Sequence, residues 1–276
     1  MVISILNIDL RGVSDFYSIR NTIENMICQK LSISSFQSLK QEKAKLQTKI
    51  IGDLRNDNEL MIFIDNKIRL MLTSIGQGSD FIQFPANIRF LYPESNQEYI
   101  KMPFNVDTIH CDHWSGAPVD SINAFLYIRK PIRSPSLVHF GFPAERKNEL
   151  LFYRGSYAEA PNIAYKKLEN IPHEGLLQLF SSSTPHCIDR SGNDVSVSID
   201  FRMRNDTHIF RNDLKKRSME DWAGSRMTSL GVYWKWLESY PTSMSQKIDS
   251  ELIEAIKIGE DYLNIRKQYV SLHYSQ

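Results

Sequence analysis

Two imidazoles and one carboxylate on one side of a divalent metal leave the opposite positions open for reactants, and the chain carries residues spaced to supply such a set. The segment Asp107-Thr108-Ile109-His110-Cys111-Asp112-His113-Trp114 offers two of the three donors. His110 and Asp112 stand two apart, so on a strand both side chains leave the same face and aim at a common point. A further imidazole must then arrive from elsewhere. Of the seven histidines, His186 in Ser183-Thr184-Pro185-His186-Cys187 is the best placed, 76 residues downstream of His110 (186 minus 110) and set among loop-forming residues. His139, His173, His208 and His273 show no partner pattern and are assigned to packing or surface roles.

The stretch after His186 strengthens the set. Val195, Val197, Ile199, Phe201 and Met203 alternate with Ser196, Ser198, Asp200, Arg202 and Arg204, the pattern of a strand with one apolar and one polar face. Arg202 lies sixteen residues after His186. Its guanidinium can grip a carboxylate in two-point fashion. A structural ion pair with Asp200 or with a helix carboxylate is the competing role.

These residues resemble the iron(II)- and 2-oxoglutarate-dependent oxygenases. Two strings carry the likeness: His110-Cys-Asp112-His-Trp-Ser-Gly-Ala-Pro118-Val-Asp-Ser121-Ile-Asn123 and Ser198-Ile-Asp-Phe-Arg202. Both are similar to strings in the phytanoyl-hydroxylase-like members of bacterial carbohydrate and aminoglycoside gene clusters, and the likeness spans roughly residues 85 to 210. It implies a double-stranded β-helix, a jelly-roll relative of the cupins. It also implies iron(II), 2-oxoglutarate as cosubstrate and O2. His110, Asp112 and His186 would hold the iron, Arg202 the distal carboxylate of 2-oxoglutarate, and Asn123 would touch the cosubstrate. Many relatives carry an Arg about eleven residues after the distal histidine, where this chain has Val197. Arg204 and, after it, Arg190 are therefore alternative anchors. The implied activity is oxidation, chiefly hydroxylation, of a polar small molecule such as a sugar or nucleotide sugar. His113, Trp114 and Arg133 are candidate substrate contacts, with Arg129 and Lys130 beside them.

Two other classes share the same residues. Thr108-x-His110-x-Asp112-His113-x-x-Gly116 resembles the HxHxDH signature of metallo-β-lactamase-type hydrolases, with Thr108 in place of the first histidine. A cupin-like binding protein without redox chemistry is the other, and loss of a ligand would mark it.

The elements that must position these groups follow a coarse order. The first eighty residues read as helical: one helix from Ser14 or Asp15 with Phe16, Ile19, Ile23, Met26 and Ile27 on one face, a second over about Ser35 to Ile51, and a buried third over about Asn58 to Ser74. From Phe81 the segments are short, rich in Ile, Phe, Tyr and Val, and broken by Pro and Gly. Ile88 to Tyr92, Thr108 to Trp114, Ile122 to Ile128, Ser136 to Phe140, Leu150 to Tyr153 and Val195 to Met203 read as strands. The last seventy residues read as helix, with a Tyr233, Trp234 and Trp236 cluster packed between helices and sheet. The expected architecture is mainly β with flanking helices in a single domain: a helical buttress over 1–80, a catalytic core over 81–210 and a helical segment over 211–276.

Bulk properties narrow the partners. Lys and Arg number 33 against 32 Asp and Glu, so no excess of cations favours nucleic acid and a small-molecule substrate is expected. No apolar run approaches the roughly 20 residues that span a bilayer, and Met1 to Leu6 lacks the basic lead of a signal peptide. Three cysteines, Cys28, Cys111 and Cys187, form no CxxC pair, which fits a cytoplasmic protein. Cys111 and Cys187 beside the ligands are assigned to packing.

Overall fold

The computed structural model describes residues 5–42, 44–55, 57–77, 81–84, 86–94, 107–112, 122–141, 143, 145, 163–204 and 235–238. Three helices precede most of the strands: α1 (Ser14–Leu31), α2 (Ala44–Arg55) and α3 (Asn58–Ser74), with a 3-10 turn at Phe36–Gln41 before α2. The expected second helix is thus split in two. Helix α3 starts where Asp57 accepts a hydrogen bond from the Leu60 amide at 3.0 Å, which satisfies one of the donors a helix start leaves open. No side chain caps α1, whose preceding residue is Val13; Asp15 instead holds Lys67 of α3 at 2.9 Å.

Among the described residues ten strands follow the order β1 (Ile5–Asp9), β2 (Phe81–Phe84), β3 (Asn87–Leu91), β4 (Ile122–Arg129), β5 (Ser136–Gly141), β6 (Lys166–Lys167), β7 (Leu176–Ser181), β8 (His186–Asp189), β9 (Ser196–Arg204) and β10 (Lys235–Glu238). Seven of them form one antiparallel sheet in the order β1-β7-β4-β9-β2-β10, with β3 beside β2 along the same edge of β9. The other three form a small antiparallel sheet, β6-β5-β8. The protein is mainly β, with helices on one side.

Alternation along β9 decides how these layers stack. Val197, Ile199, Phe201 and Met203 face the helices and join a core with Phe16, Ile19, Ile23 and Ile27 of α1 and Ile64 and Ile68 of α3. Burying each such side chain stabilises the fold by about 1.5–3 kcal/mol. The opposite face carries Phe125 and Tyr127 of β4 and Phe180 of β7, which pack on Leu137 of β5 and Ile188 of β8. The small sheet therefore covers the inner face of the large one, and β9 is buried on both sides. Gly175 opens β7 at φ +80°, where a Cβ would lie 2.9 Å from the Arg11 side chain, so only glycine lets β1 and β7 meet there.

Several expectations differ from the structure. Ile5–Asp9 is a strand rather than part of a helical block, because it pairs residue for residue with β7. Lys235–Glu238, including Trp236, pairs with β2 as a strand rather than continuing a helix. The expected strand at Leu150 to Tyr153, the cluster at Tyr233 and Trp234 and the final helix lie outside the described residues. Among the described residues no helix is long and apolar enough to cross a membrane.

Candidate metal centre

His110 is not on a regular strand. It forms a single antiparallel bridge with His186, each backbone N–H donating to the other's carbonyl at 2.9 Å, which appends His110 to the free edge of β8. Directly opposed residues in such a pair point their side chains the same way, and the two rings lie 4.4 Å apart between centroids. Asp112 follows beyond the bridge. Its Oδ1 lies 3.8 Å from His110 Nε2 and 3.6 Å from His186 Nε2. One donor atom from each of the three residues falls within 4.8 Å of the others, and all three residues are buried.

Both rings are held by the same device. His110 Nδ1 meets the Thr108 carbonyl at 2.7 Å and His186 Nδ1 meets the Thr184 carbonyl at 2.8 Å. A carbonyl only accepts, so each Nδ1 carries a proton and each Nε2 is left facing Asp112. The sequence holds a sign of this: Thr-x-His-Cys occurs at 108–111 and again at 184–187. The two copies face each other across the bridge. Cys111 turns away and donates to the Ser183 carbonyl at 3.3 Å, a packing role as expected.

Electrostatics favour the ligand forms. Burial pushes His110 down to about 3, and the neighbouring His186 pushes the same way, so the imidazole stays neutral. Burial alone would raise Asp112, but the Arg202 guanidinium and the two imidazoles outweigh it and hold the carboxyl well below the usual carboxylate range. Arg202 Nη2 donates to Asp112 Oδ2, leaving Oδ1 toward the histidines.

A cavity of about 60 Å³ opens beside the three residues, large enough for a few waters or a small polar group. On the large sheet Phe180, Asn123 and Arg202 are consecutive neighbours across β7, β4 and β9 and form one wall. Asn123 is 5% exposed, and neither its amide nitrogen nor its oxygen has a hydrogen-bond partner. Sequence reasoning missed two further wall residues, Arg89 and Asp200. Asp200 takes two hydrogen bonds from Arg89, with Nη2 at 3.0 Å, and one from Asn87 at 3.1 Å; it is not the partner of Arg202.

The remaining candidates are placed as follows. Arg190 donates to Asp107 at 2.7 Å and to the Tyr92 carbonyl at 2.9 Å, tying down the segment that leads to His110. Arg204 ends β9 opposite Phe81. Arg133 is exposed in the turn after β4 and does not line the cavity, while Arg129 binds Asp194 and Lys130 binds Ser134, holding that turn. His113 and Trp114 lie outside the described residues.

No family model matches this chain, and no curated protein does. Among solved structures it is similar to a non-heme monooxygenase, ThoJ in its apo form, at 9% identity and a TM-score of 0.43 over 97% of this chain and 96% of that one. It is also similar to the non-heme alpha ketoglutarate dependent carbocyclase SnoK from nogalamycin biosynthesis, at 12% identity and a TM-score of 0.39 over 75% and 84%. A Pseudomonas putida prolyl-4-hydroxylase matches at 13% identity and a TM-score of 0.37 over 74% and 90%. Overlaps of this size assign no reaction.

Proposed function

We propose that the chain is an iron(II)- and 2-oxoglutarate-dependent dioxygenase that hydroxylates a polar small molecule, a sugar or nucleotide sugar being the class that the His110-to-Asn123 string suggests. The observation that carries the reading is the convergence of His110 Nε2, His186 Nε2 and Asp112 Oδ1 within 4.8 Å in a buried site. Two imidazoles and one carboxylate fit iron(II) with open positions left over. The unpartnered Asn123 amide in the cavity wall fits a further polar ligand. The two stacked antiparallel sheets are, in this reading, the halves of a double-stranded β-helix.

When bound, iron(II) with 2-oxoglutarate and O2 supplies oxidative decarboxylation of the cosubstrate coupled to oxidation of an unactivated C–H bond. The chain's own part is geometric and electrostatic. The Thr108 and Thr184 carbonyls fix the ring tautomers. Arg202 neutralises the outer oxygen of Asp112. Metal and Arg202 together carry three positive charges against one on Asp112, so the site favours a dianion such as 2-oxoglutarate. His113 and Trp114, next to Asp112 in sequence, are proposed substrate contacts, and with three free cysteines the cytoplasm is the proposed location.

The test is anaerobic addition of iron(II) and 2-oxoglutarate while the visible spectrum is recorded. A weak metal-to-ligand charge-transfer band is expected, lost in His186→Ala and kept in His113→Ala. Absence of the band together with zinc-dependent ester or amide hydrolysis would establish the hydrolase instead. Against that rival, the first position of its signature is Thr108, which contributes a backbone carbonyl to His110 and no ligand atom.

A further inference from the structure

The cavity beside the three clustered residues is two layers deep. Its first layer holds His110, Asp112 and His186 with Phe180, Asn123 and Arg202. Side chains on one face of a strand recur every second residue, so the next layer lies about 7 Å further along the strands. There Leu137 of β5 pairs with Ile188 of β8 on the small sheet, and Phe125 of β4 pairs with Asp200 of β9 on the large one. Arg89 of β3 completes the second layer by holding Asp200. This layer is the more open of the two. The side chains of Arg89 and Asp200 are 28% and 14% exposed, against 4% and 8% for Arg202 and Asp112. A reactant that enters after the cosubstrate meets it first.

Charge and hydrogen bonding narrow what that reactant is. The cosubstrate dianion balances the surplus positive charge of the metal layer, and the Arg89–Asp200 pair balances itself, so a further reactant gains nothing by carrying a net charge. It gains by donating a hydrogen bond. A carboxylate offers about four acceptor positions. Arg89 takes two of those on Asp200 and Asn87 takes one, which leaves one for a donor in the cavity. The rest of the layer, Phe125, Leu137 and Ile188, belongs to one apolar cluster. A ligand that suits both parts has an O–H edge for the carboxylate and a face of C–H groups for the apolar side chains.

We infer that the Arg89–Asp200 pair is a substrate subsite for an uncharged, polyhydroxylated ring, with a ring hydroxyl donating to Asp200 and ring C–H groups resting on Phe125, Leu137 and Ile188. This deepens the proposed function and rests on it. Neither Arg89 nor Asp200 makes or breaks a bond; both set specificity.

Saturation-transfer NMR on the full chain loaded with zinc and 2-oxoglutarate tests this with three rings of one shape: methyl glucoside, methyl glucuronide and methyl glucosaminide, which are neutral, anionic and cationic. The wild type is expected to bind the neutral ring roughly tenfold more tightly than either charged one, since a charge brought into the layer finds no counter-charge. Asp200→Asn uncovers the charge of Arg89 and should turn the preference to the glucuronide. Arg89→Gln leaves Asp200 unbalanced and should turn it to the glucosaminide. The wild-type order is a test whether or not either variant folds, which the Tm reports. A charged ring that binds best, equal binding of all three, or binding of none overturns the inference. So does a folded variant that keeps the wild-type order, including one in which only 2-oxoglutarate binding changes, a result that assigns the pair to the cosubstrate. Failure of the zinc-loaded wild type to bind 2-oxoglutarate removes the oxygenase reading itself, a separate result.

Discussion

At the scale of single residues, the site depends on which atoms carry protons. His110 and His139 are both pushed down to about 3, by burial first and by His186 second. Each binds a proton in the unfolded chain near pH 6.5 but not in the folded one until about pH 3. Between those values the unfolded state holds more protons, so stability rises with pH, by up to about 1.4 kcal/mol per pH unit per group. Urea unfolding of the metal-free protein should show stability fully present above about pH 6.5 and declining steadily toward pH 3. Asp112 acts in the same direction lower down, its contribution present above its unfolded value and lost as pH falls through its depressed folded value. The Asp112–Arg202 pair is itself testable, since both side chains are nearly enclosed. Arg202→Ala leaves a buried carboxylate without its counter-charge and should cost about 3–5 kcal/mol in the metal-free protein. Saturating zinc should reduce that loss, because the ion faces the same carboxylate; an equal loss with and without zinc would refute the shared role.

Among the elements, β9 and α3 are where sequence and structure agree most closely. The alternation from Val195 to Met203 predicts both faces of β9 correctly, and Asn58 to Ser74 is the observed span of α3. Long periodic segments identify themselves. Strands β7 and β8 did not, because Leu176–Ser181 is buried almost throughout and shows no alternation, while His186–Asp189 is only four residues long. The three residues that cluster were singled out from type and spacing, yet the reason they meet was not legible. His110 and Asp112 do not share a regular strand; one bridge to His186 aligns them, and a contact between residues 76 apart (186 minus 110) leaves no local mark. His139, assigned to packing or the surface, is fully buried on β5 opposite His186. Arg190 shows how an element is held in place: it ties Asp107 and the Tyr92 carbonyl beside the ligand segment. Arg190→Ala should weaken zinc binding by about tenfold, measured by competition with a chromophoric chelator, as for other residues that orient metal ligands.

Across the whole molecule, helices cover one face of the large sheet and the small sheet covers the other, so the candidate centre lies between two layers that must both be formed before the donors converge. A metal that binds only this arrangement stabilises it by mass action. At a free concentration 100 times its Kd the gain is about 2.7 kcal/mol, visible as a rise in Tm that a chelator reverses. An unchanged Tm under saturating metal would mean that the three donors do not bind as a set. An ion held by the His110 and His186 imidazoles is a cross-link closing a loop of 76 residues (186 minus 110). Closing a loop of that length permanently would lower the entropy of the unfolded chain by an equivalent of about 4.5 kcal/mol in the chain-entropy treatment. In a protein whose three cysteines are all free, the metal would serve as a staple that can be taken out and put back.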